Sequence, residues 1–299
     1  MTSTPIHAGS LQAQLQGFAL RLAATSLDPV AFRQAGRQTG PVTHVLLHGI
    51  GSASASWVAQ LARVQQSAGT NVRAVAWDAP GYGAHGGGSA ALAMPSPAAA
   101  DYAQRLWAWL DALAEAEGGA APPITLVGHS LGCLMAASAA RLKPARVKRL
   151  LLLSPARGYA RATAAERDKK LADRLDNLAR LGPAGMAQAR GAAMLSASAS
   201  TEQIAFVQQT MAQIDPAGYT QAARMLSTGD LLADLERVAC MIEVASGSAD
   251  TITPEAGCRA LAAQVKAPYA LLAGAGHACA IEAPDAVSTL IGFSEGKKP

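Results

Sequence analysis

This 299-residue chain has little of what identifies several classes of protein. Aromatic residues make up 4% and charged residues 15%, against 50% hydrophobic residues, which is the composition of a globular protein with a large core and not of a disordered one. The lysines and arginines are scattered, and no basic run exceeds RVKR at 146–149. A formal net charge of +4 spread in this way gives no reason to expect binding to nucleic acid or to an anionic membrane surface.

Long apolar runs and paired cysteines are also missing. No apolar stretch approaches the roughly 20 residues of a membrane-spanning helix, and MTSTPIHAGS at the start lacks a charged segment followed by an apolar one, so we expect no secretory signal. The cysteines are widely spaced, with no CxxC pair and no Cys/His cluster. We therefore expect reduced thiols in a cytoplasmic protein, the alternative being two disulfides. The residues concerned are Cys133, Cys240, Cys258 and Cys279.

What the chain does contain is a series of short apolar runs, most of which stop at a small residue. Such runs are typical of strands buried on both faces of a parallel sheet. Stretches of helical periodicity separate them, so we predict an α/β fold with a doubly wound, mostly parallel eight-stranded sheet that begins with an antiparallel pair. The predicted strands are 18–26, 29–37, 43–49, 72–78, 123–128, 147–154, 239–247 and 267–274.

One long stretch between two of these strands interrupts the alternation. Over 156–230 the leucines occur at helical spacing and no convincing strand is found. We therefore predict a core domain formed by 1–155 and 231–299, with a helical cap inserted over 156–230. The alternative is a set of surface helices with no part in the site. Ligands of such a sheet bind at the carboxyl ends of its strands, which is where the cap would lie.

The segment VGHSLGC at 127–133 places Ser130 between two glycines, after a predicted strand and before a predicted helix. In this context G-x-S-x-G predicts a nucleophile elbow, a sharp turn that leaves the serine hydroxyl exposed above the sheet. The glycines are needed because a side chain at 128 or 132 would collide with the neighbouring strand or helix. The alternative for Ser130 is an ordinary turn residue, since the bare pattern is common.

A nucleophilic serine needs a base within hydrogen-bond reach, and the base needs a carboxylate to orient it. His277 follows the last predicted strand on a glycine loop, and Asp250 follows the strand before it. The order Ser130, Asp250, His277 is the one found in enzymes with a nucleophile elbow. We predict that Asp78, in DAPGYG, stabilises a turn. The rival bases, each with a simple structural explanation, are His44, His48, His85 and His129.

The third requirement is an oxyanion hole, in which backbone N–H groups stabilise the charge that develops on the carbonyl oxygen by roughly 3–4 kcal/mol each. We predict that the amide of Leu131, at the helix start, supplies one donor. The loop HGIGSASASW supplies the other, from Ile50 or from Gly51, because its glycines let the backbone come close to a ligand.

Five motifs together resemble the α/β-hydrolase superfamily: LLHGIGSASASW, DAPGYG, GHSLG, SGSADTITP and GAGHACAIEAP. They cover about 15–155 and 231–292 and are similar to the esterase, enol-lactonase and meta-cleavage product hydrolase branches. The resemblance implies an α/β-hydrolase fold and a serine hydrolase without a metal or an organic cofactor. It also implies a role for each matching residue: Ser130 as nucleophile, Asp250 as acid, His277 as base, and the amides of Ile50 and Leu131 as oxyanion donors.

The predicted function is hydrolysis of a small carboxylic ester, lactone or related acyl compound through an acyl-serine intermediate. The partner is thus a small-molecule acyl substrate, and neither nucleic acid nor membrane is expected. One alternative is hydrolysis of a C–C bond in a vinylogous diketone, but HACAIE has alanine and cysteine where those enzymes tend to carry a bulky aromatic residue and an amide. Another alternative is a small-molecule receptor without catalysis.

Three residues near the start of the predicted cap are candidates for binding a substrate carboxylate. They are polar and follow directly after a predicted strand, although surface solvation would explain each of them equally well. These residues are Arg157, Tyr159 and Arg161.

Overall fold

In this computed structural model, the described residues are 9–67, 71–83, 88–119 and 121–293. Within these ranges the chain forms one sheet with helices on both faces. The strands are β1 Arg21–Ala23, β2 Val30–Gly36, β3 His44–Leu47, β4 Arg73–Trp77, β5 Ile124–His129, β6 Val147–Leu153, β7 Met241–Gly247 and β8 Tyr269–Leu272. The helices are α1 Leu11–Gln16, α2 Val58–Gln66, α3 Ala99–Glu115, α4 Gly132–Leu142, α5 Ala164–Arg190, α6 Thr201–Ala212, α7 Pro216–Thr228, α8 Leu231–Leu235, α9 Glu255–Gln264, α10 Cys279–Glu282 and α11 Pro284–Ile291.

The strand order across the sheet is β1-β2-β4-β3-β5-β6-β7-β8. β2 runs antiparallel to both of its neighbours, and the pairs from β4 to β8 are parallel. The predicted doubly wound, mostly parallel eight-stranded sheet is therefore confirmed, including its antiparallel start. The carboxyl ends of the parallel strands lie along one edge, where the turns that follow them come together.

The central strands are buried because helices cover both faces of the sheet. Along β3, Val45 and Leu47 point into one hydrophobic core and Leu46 into the other. Leu126 and Val127 of β5 divide in the same way. Since successive strand side chains point to opposite faces, a strand covered on both faces has to be apolar without interruption. The first core is filled by α3, α4, α8 and α9, and the second by α1, α2, α10 and α11.

Helices α5, α6, α7 and α8 connect β6 to β7, and over 154–240, a stretch that is described throughout, there is no strand. Helix α5 is broken at Gly182, whose φ is 62°, because Pro183 disfavours a helical conformation in the residue before it. Leu178 is buried in the first core, so α5 packs with the same core as α4. That 156–230 acts as a separate cap stays a prediction.

The segment between β6 and β7 makes direct backbone contacts with loops that follow the strands. A Cβ atom on Gly218, in α7, would lie 2.0 Å from the carbonyl oxygen of Gly81, so these two segments meet without side chains between them. The amide of Ala278, next to His277, donates to the carbonyl oxygen of Met194 over 2.7 Å. These contacts place α7 against the loop after β4, and the segment after α5 against the loop after β8.

None of the helices described is both long and apolar enough to cross a membrane.

Candidate active site

Ser130 occupies a strained position at the turn from β5 to α4. Its φ is 51°, a left-handed conformation that residues other than glycine rarely adopt. A Cβ atom on Gly128 would lie 2.7 Å from the Cα of Cys133, and one on Gly132 would lie 2.5 Å from the carbonyl oxygen of Leu47. Both glycines are therefore required by the close approach of helix, turn and β3. Backbone strain of this kind is maintained where the surrounding structure holds it, often at functional sites.

His277 and Asp250 form a hydrogen-bonded pair behind the elbow. The turn after β7 carries Asp250, and the loop after β8 carries His277, whose Nδ1 lies 3.0 Å from Oδ2 of Asp250. Both are buried, with 4% of His277 and 5% of Asp250 exposed. A carboxylate at this position keeps the proton on Nδ1, which leaves Nε2 free to accept another.

The Asp250 carboxylate is held by the turn that it begins. Its Oδ1 accepts from the amides of Ile252 and Thr253, at 2.8 and 2.9 Å, and its Oδ2 accepts from the Thr253 hydroxyl at 2.8 Å. Burial alone would raise the pKa of Asp250, but the bonds from His277 and Thr253 outweigh it and hold that pKa well below its ordinary value. The sequence analysis missed Thr253. An aspartate with Thr and Pro three and four residues later is nevertheless a signal for such a turn.

Ser130 and His277 line the same cavity. No hydrogen bond between Ser130 Oγ and the His277 ring occurs among those of the described residues, and Asp250 lies on the far side of the imidazole. Such bonds are often long in an enzyme without substrate and shorten when substrate binds. The structure thus brings the three predicted residues to one place, with the acid and the base already in contact.

The rival bases have structural roles where the structure describes them. His129 donates from Nε2 to the carbonyl oxygen of His277 over 2.8 Å, and burial lowers its pKa to about 3. Burial also lowers the pKa of His48, and it lowers that of His44 to about 4. The His129 ring thus joins the elbow to the loop of His277, whereas His44 lies in β3 and bonds to the Thr43 hydroxyl over 2.9 Å. His85 lies outside the described residues.

The amides of Ile50, Gly51 and Leu131 donate no hydrogen bond to any acceptor within the described part of the chain. The Ile50 and Gly51 amides are each held in orientation by a hydrogen bond to the carbonyl group of the same peptide unit. The Gly49 carbonyl oxygen accepts from His48 Nδ1 over 2.8 Å, which orients the peptide that contains the Ile50 amide. The Ile50 carbonyl oxygen accepts from the Tyr82 hydroxyl over 2.9 Å, which orients the Gly51 amide.

The loop after β3 is also tied to the end of β4. The Ala79 amide donates to His48 Nε2 over 3.0 Å, and the Ser54 amide donates to Asp78 Oδ1 over 2.6 Å. Asp78 thus joins the two loops, in agreement with a turn-stabilising role. The contribution of Tyr82 could not be found from the sequence, because no local pattern shows which distant carbonyl group a tyrosine will reach.

The cavity beside Ser130 has a volume of about 400 Å³ and is lined by strand-end loops and by the inserted helices. Of the three residues predicted as candidates for binding a substrate carboxylate, Arg157 and Tyr159 line this cavity. Arg161 is not among the lining residues, because its guanidinium is bound by the Asp230 carboxylate at 2.8 Å. The structure therefore does not bring Arg161 to the site.

Several lining residues from the inserted helices were not anticipated. Arg174 and Arg190 of α5 reach the cavity, as does Tyr219 of α7. Apolar side chains complete this part of the lining: Met186, Met194, Phe206, Val207, Met211 and Leu226. Their sequence signals are ordinary helical ones, which do not show where a helix face will dock.

Comparison with known proteins gives the family. Residues 45–290 match the family model described as alpha/beta hydrolase family. The chain belongs to the alpha/beta hydrolase family. The resemblance read from the five motifs is thereby confirmed. The comparison with curated proteins gives no match.

Several solved structures are similar to this chain over almost its whole length. A thermophilic esterase from Thermogutta terrifontis, with malate bound, has 21% identity and a TM-score of 0.74, covering 91% of this chain and 96% of that one. The enol-lactonase from Burkholderia xenovorans LB400 has 20% identity and a TM-score of 0.74, with 91% and 99% covered. A bromoperoxidase from Bacillus anthracis has 17% identity and a TM-score of 0.72, with 92% and 99% covered. At these identities the likeness shows the fold.

The cysteines of this alpha/beta hydrolase are free, including the two beside the predicted triad. Burial raises the pKa of Cys133 well above its ordinary value, that of Cys279 to about 12 and that of Cys258 to about 11. These thiols are therefore protonated near neutral pH and poor nucleophiles. Across the described ranges, no group of three or more His, Cys, Asp or Glu side chains is arranged to hold a metal ion.

Proposed function

We propose that this alpha/beta hydrolase is a serine hydrolase that cleaves a small carboxylic ester, lactone or related acyl compound. The observation that carries the proposal is the buried His277–Asp250 pair, 3.0 Å apart, on the same cavity as the strained Ser130. Acyl transfer to serine requires a hydroxyl, an imidazole that can take its proton, and a carboxylate bonded to the imidazole.

In the proposed first step, Ser130 Oγ attacks the substrate carbonyl carbon and gives its proton to Nε2 of His277. The imidazolium that forms is stabilised by Asp250, whose low pKa keeps it ionised. The same proton then passes to the leaving alcohol or enol as the C–O bond breaks. In the second step His277 takes a proton from water, which attacks the carbonyl carbon of the acyl-Ser130 ester. The imidazolium then returns this proton to Ser130 Oγ as the bond between Oγ and the acyl carbon breaks and the acid is released.

The negative charge on the carbonyl oxygen would be stabilised by the unpaired amides at the elbow. Leu131 supplies an N–H group at the start of α4, where the helix dipole also favours an anion. The Ile50 amide supplies the second, with Gly51 as its neighbour. Because the bonds from His48 and Tyr82 already orient this loop, little reorganisation accompanies the reaction.

We further propose that 156–230 acts as a cap that determines specificity without taking part in the chemistry. The supporting observation is that its apolar side chains, among them Met186, Phe206 and Leu226, line the cavity wall beside Ser130. Such a wall excludes water from the acyl intermediate and contacts the hydrocarbon part of the substrate.

The test is reaction with a fluorophosphonate probe together with hydrolysis of p-nitrophenyl acetate and butyrate. We expect a single labelled site at Ser130 and turnover of both esters, each lost in Ser130→Ala. Ser138→Ala is the matched control, because Ser138 is a buried serine of α4 that does not line the cavity. Labelling that persists in Ser130→Ala would contradict the assignment.

The same assay separates the alternatives. A folded protein that binds acyl compounds but neither reacts with the probe nor turns over any ester would be a receptor. A strong preference for a coloured dienoate over both esters would indicate C–C bond hydrolysis instead.

A further inference from the structure

The charges that line the cavity are all of one sign. Three arginines contribute to the lining, Arg157, Arg174 and Arg190, whereas no aspartate or glutamate does. None of these guanidinium groups forms an ion pair with a described residue. Unpaired positive charge around a concave, largely apolar site attracts an anion, and the attraction is stronger in a cavity than on an open surface.

Arg174 is held in place but keeps donors free. Its Nη1 donates to the Lys170 carbonyl oxygen over 3.0 Å, its Nη2 donates to the Tyr159 hydroxyl over 3.3 Å, and the guanidinium lies 5.4 Å from the centroid of the Tyr159 ring. A guanidinium has five N–H groups, so three remain for a ligand. Its planar fork matches the two oxygens of a carboxylate.

Tyr219 adds a hydroxyl that is available to a ligand. Tyr219 lines the cavity, and its hydroxyl makes no hydrogen bond within the ranges described. A hydroxyl of this kind can donate a hydrogen bond to a bound anion. Burial raises the pKa of Tyr219, so its hydroxyl is protonated near neutral pH, although the charges of Arg174 and Arg190 act to lower that pKa. All three residues line the same cavity.

We propose that Arg174, Arg190 and Tyr219 form a subsite for a carboxylate that the substrate carries away from its reacting carbonyl. Helices α5 and α7 supply the subsite, whereas the turn after β5 supplies Ser130. The inference rests on the proposed function and narrows it: the substrate is an anionic acyl compound, with its carboxylate on the acyl chain or on the leaving group. The apolar side chains of the cavity contact the carbon chain between the two ends.

The experiment compares esters that differ in one carboxylate. p-Nitrophenyl hemiadipate and p-nitrophenyl hexanoate have the same chain length, so the ratio of their kcat/KM values measures recognition of a carboxylate on the acyl side. A nitrophenyl butyrate with a carboxylate on its ring, set against the plain butyrate, measures the leaving-group side. Ser130→Ala gives the background for every ester. For one of the two pairs, we expect the wild-type kcat/KM of the ester with the carboxylate to be roughly ten to a hundred times that of the neutral ester. One or two charge-assisted hydrogen bonds would produce a preference of this size.

Substitutions then assign the preference to residues. Arg174→Gln, Arg190→Gln and Tyr219→Phe should each lower the ratio, and Arg174→Lys should restore only part of it because the ammonium lacks the fork. Arg180→Gln is the matched control: it removes another exposed arginine of α5, one that bonds to Asn177 and does not line the cavity, and its ratio should equal that of the wild type. Added salt should also lower the wild-type ratio, since Arg190 is exposed.

The outcomes separate this inference from the proposed function. Wild-type protein that hydrolyses the hexanoate and the plain butyrate with ratios near one would overturn the subsite and leave the serine hydrolase standing. So would a high ratio that the Arg174, Arg190 and Tyr219 variants retain. Absence of both ester turnover and probe labelling at Ser130 would overturn the proposed function, and the subsite with it.

Discussion

The hydroxyl of Tyr82 donates a hydrogen bond to the backbone carbonyl oxygen of Ile50 over 2.9 Å. The two residues are distant in sequence, and the bond joins the loop after β4 to the loop that carries the proposed oxyanion donors. It fixes the Ile50–Gly51 peptide, so it acts on the site without touching the substrate. Tyr82 is therefore a positioning residue in the proposed mechanism.

Tyr82→Phe should lower kcat about two- to tenfold and change KM little, because one neutral hydrogen bond stabilises the aligned loop. The measurement is steady-state kinetics with p-nitrophenyl butyrate, beside a thermal melt. Tyr102→Phe is the control, since the Tyr102 hydroxyl is buried without a partner and no bond is lost with it. Equal effects of the two substitutions on kcat would show that the Tyr82 bond has no role in catalysis.

Asp250→Asn should fold normally and lose roughly three to four powers of ten in turnover, because an amide no longer favours the imidazolium of His277. Asp78→Asn should act mainly on stability, since Asp78 Oδ1 accepts the Ser54 amide away from the cavity. Turnover and urea unfolding of both variants check the contrast. If Asp78→Asn proved the more harmful to turnover, the acid would have been assigned to the wrong strand.

Cys133→Ser and Cys279→Ser should each keep measurable turnover, although both positions adjoin the triad in sequence. The Cys133 thiol donates to the Gly128 carbonyl oxygen over 3.1 Å, a bond that a serine hydroxyl also forms. Both thiols are buried and protonated, so an alkylating reagent should leave the native enzyme active. Total loss of activity in either variant, with the fold intact, would mean that a thiol takes part in the reaction.

Stability should fall as the pH drops below about 6.5, the pKa of histidine in an unfolded chain. The folded-state pKa is about 3 for His129 and about 4 for His44, and that of His48 is also lowered, so the unfolded chain binds protons first. Each histidine then costs up to about 1.4 kcal/mol of unfolding free energy per pH unit, until the pH reaches its folded-state value.

Urea unfolding at a series of pH values from about 7.5 to 5 measures this slope, in a range above the titration of most carboxylates. His44→Phe is the matched variant, because it removes one titrating ring from β3 while keeping an aromatic partner for Phe293. The slope of unfolding free energy against pH should be smaller in this variant than in the wild type, by the contribution of one histidine. A wild-type stability that is flat over this range would contradict the buried neutral rings.

Much of the fold followed from local patterns. A strand covered on both faces is continuously apolar, so β5, in which every residue is buried, was recognisable from its composition alone. Strand bounds were less exact at the sheet edge. The stretch 18–26 was predicted as a strand and only Arg21–Ala23 is one, because β1 pairs with β2 on one side over three register positions and has no neighbour on the other.

The sequence by itself also predicted the elbow around Ser130 from its local pattern of glycines. Gly128 is required by a contact within that turn, with Cys133, whereas Gly132 is required by the approach of β3, which only the tertiary structure supplies. The order of Ser130, Asp250 and His277 predicted that they would meet, because the carboxyl ends of parallel strands share one edge. The structure brings them there, while their roles in catalysis remain proposals.

Only the tertiary structure decided which distant side chains reach that edge. Arg161 and Arg174 are both arginines of the helical stretch, yet Asp230 binds the first outside the cavity and the second lines it beside Tyr159. Likewise, nothing local predicts that His129 bonds to the loop of His277. Periodicity shows which face of an element is apolar, but where that face docks depends on the packing of every element at once.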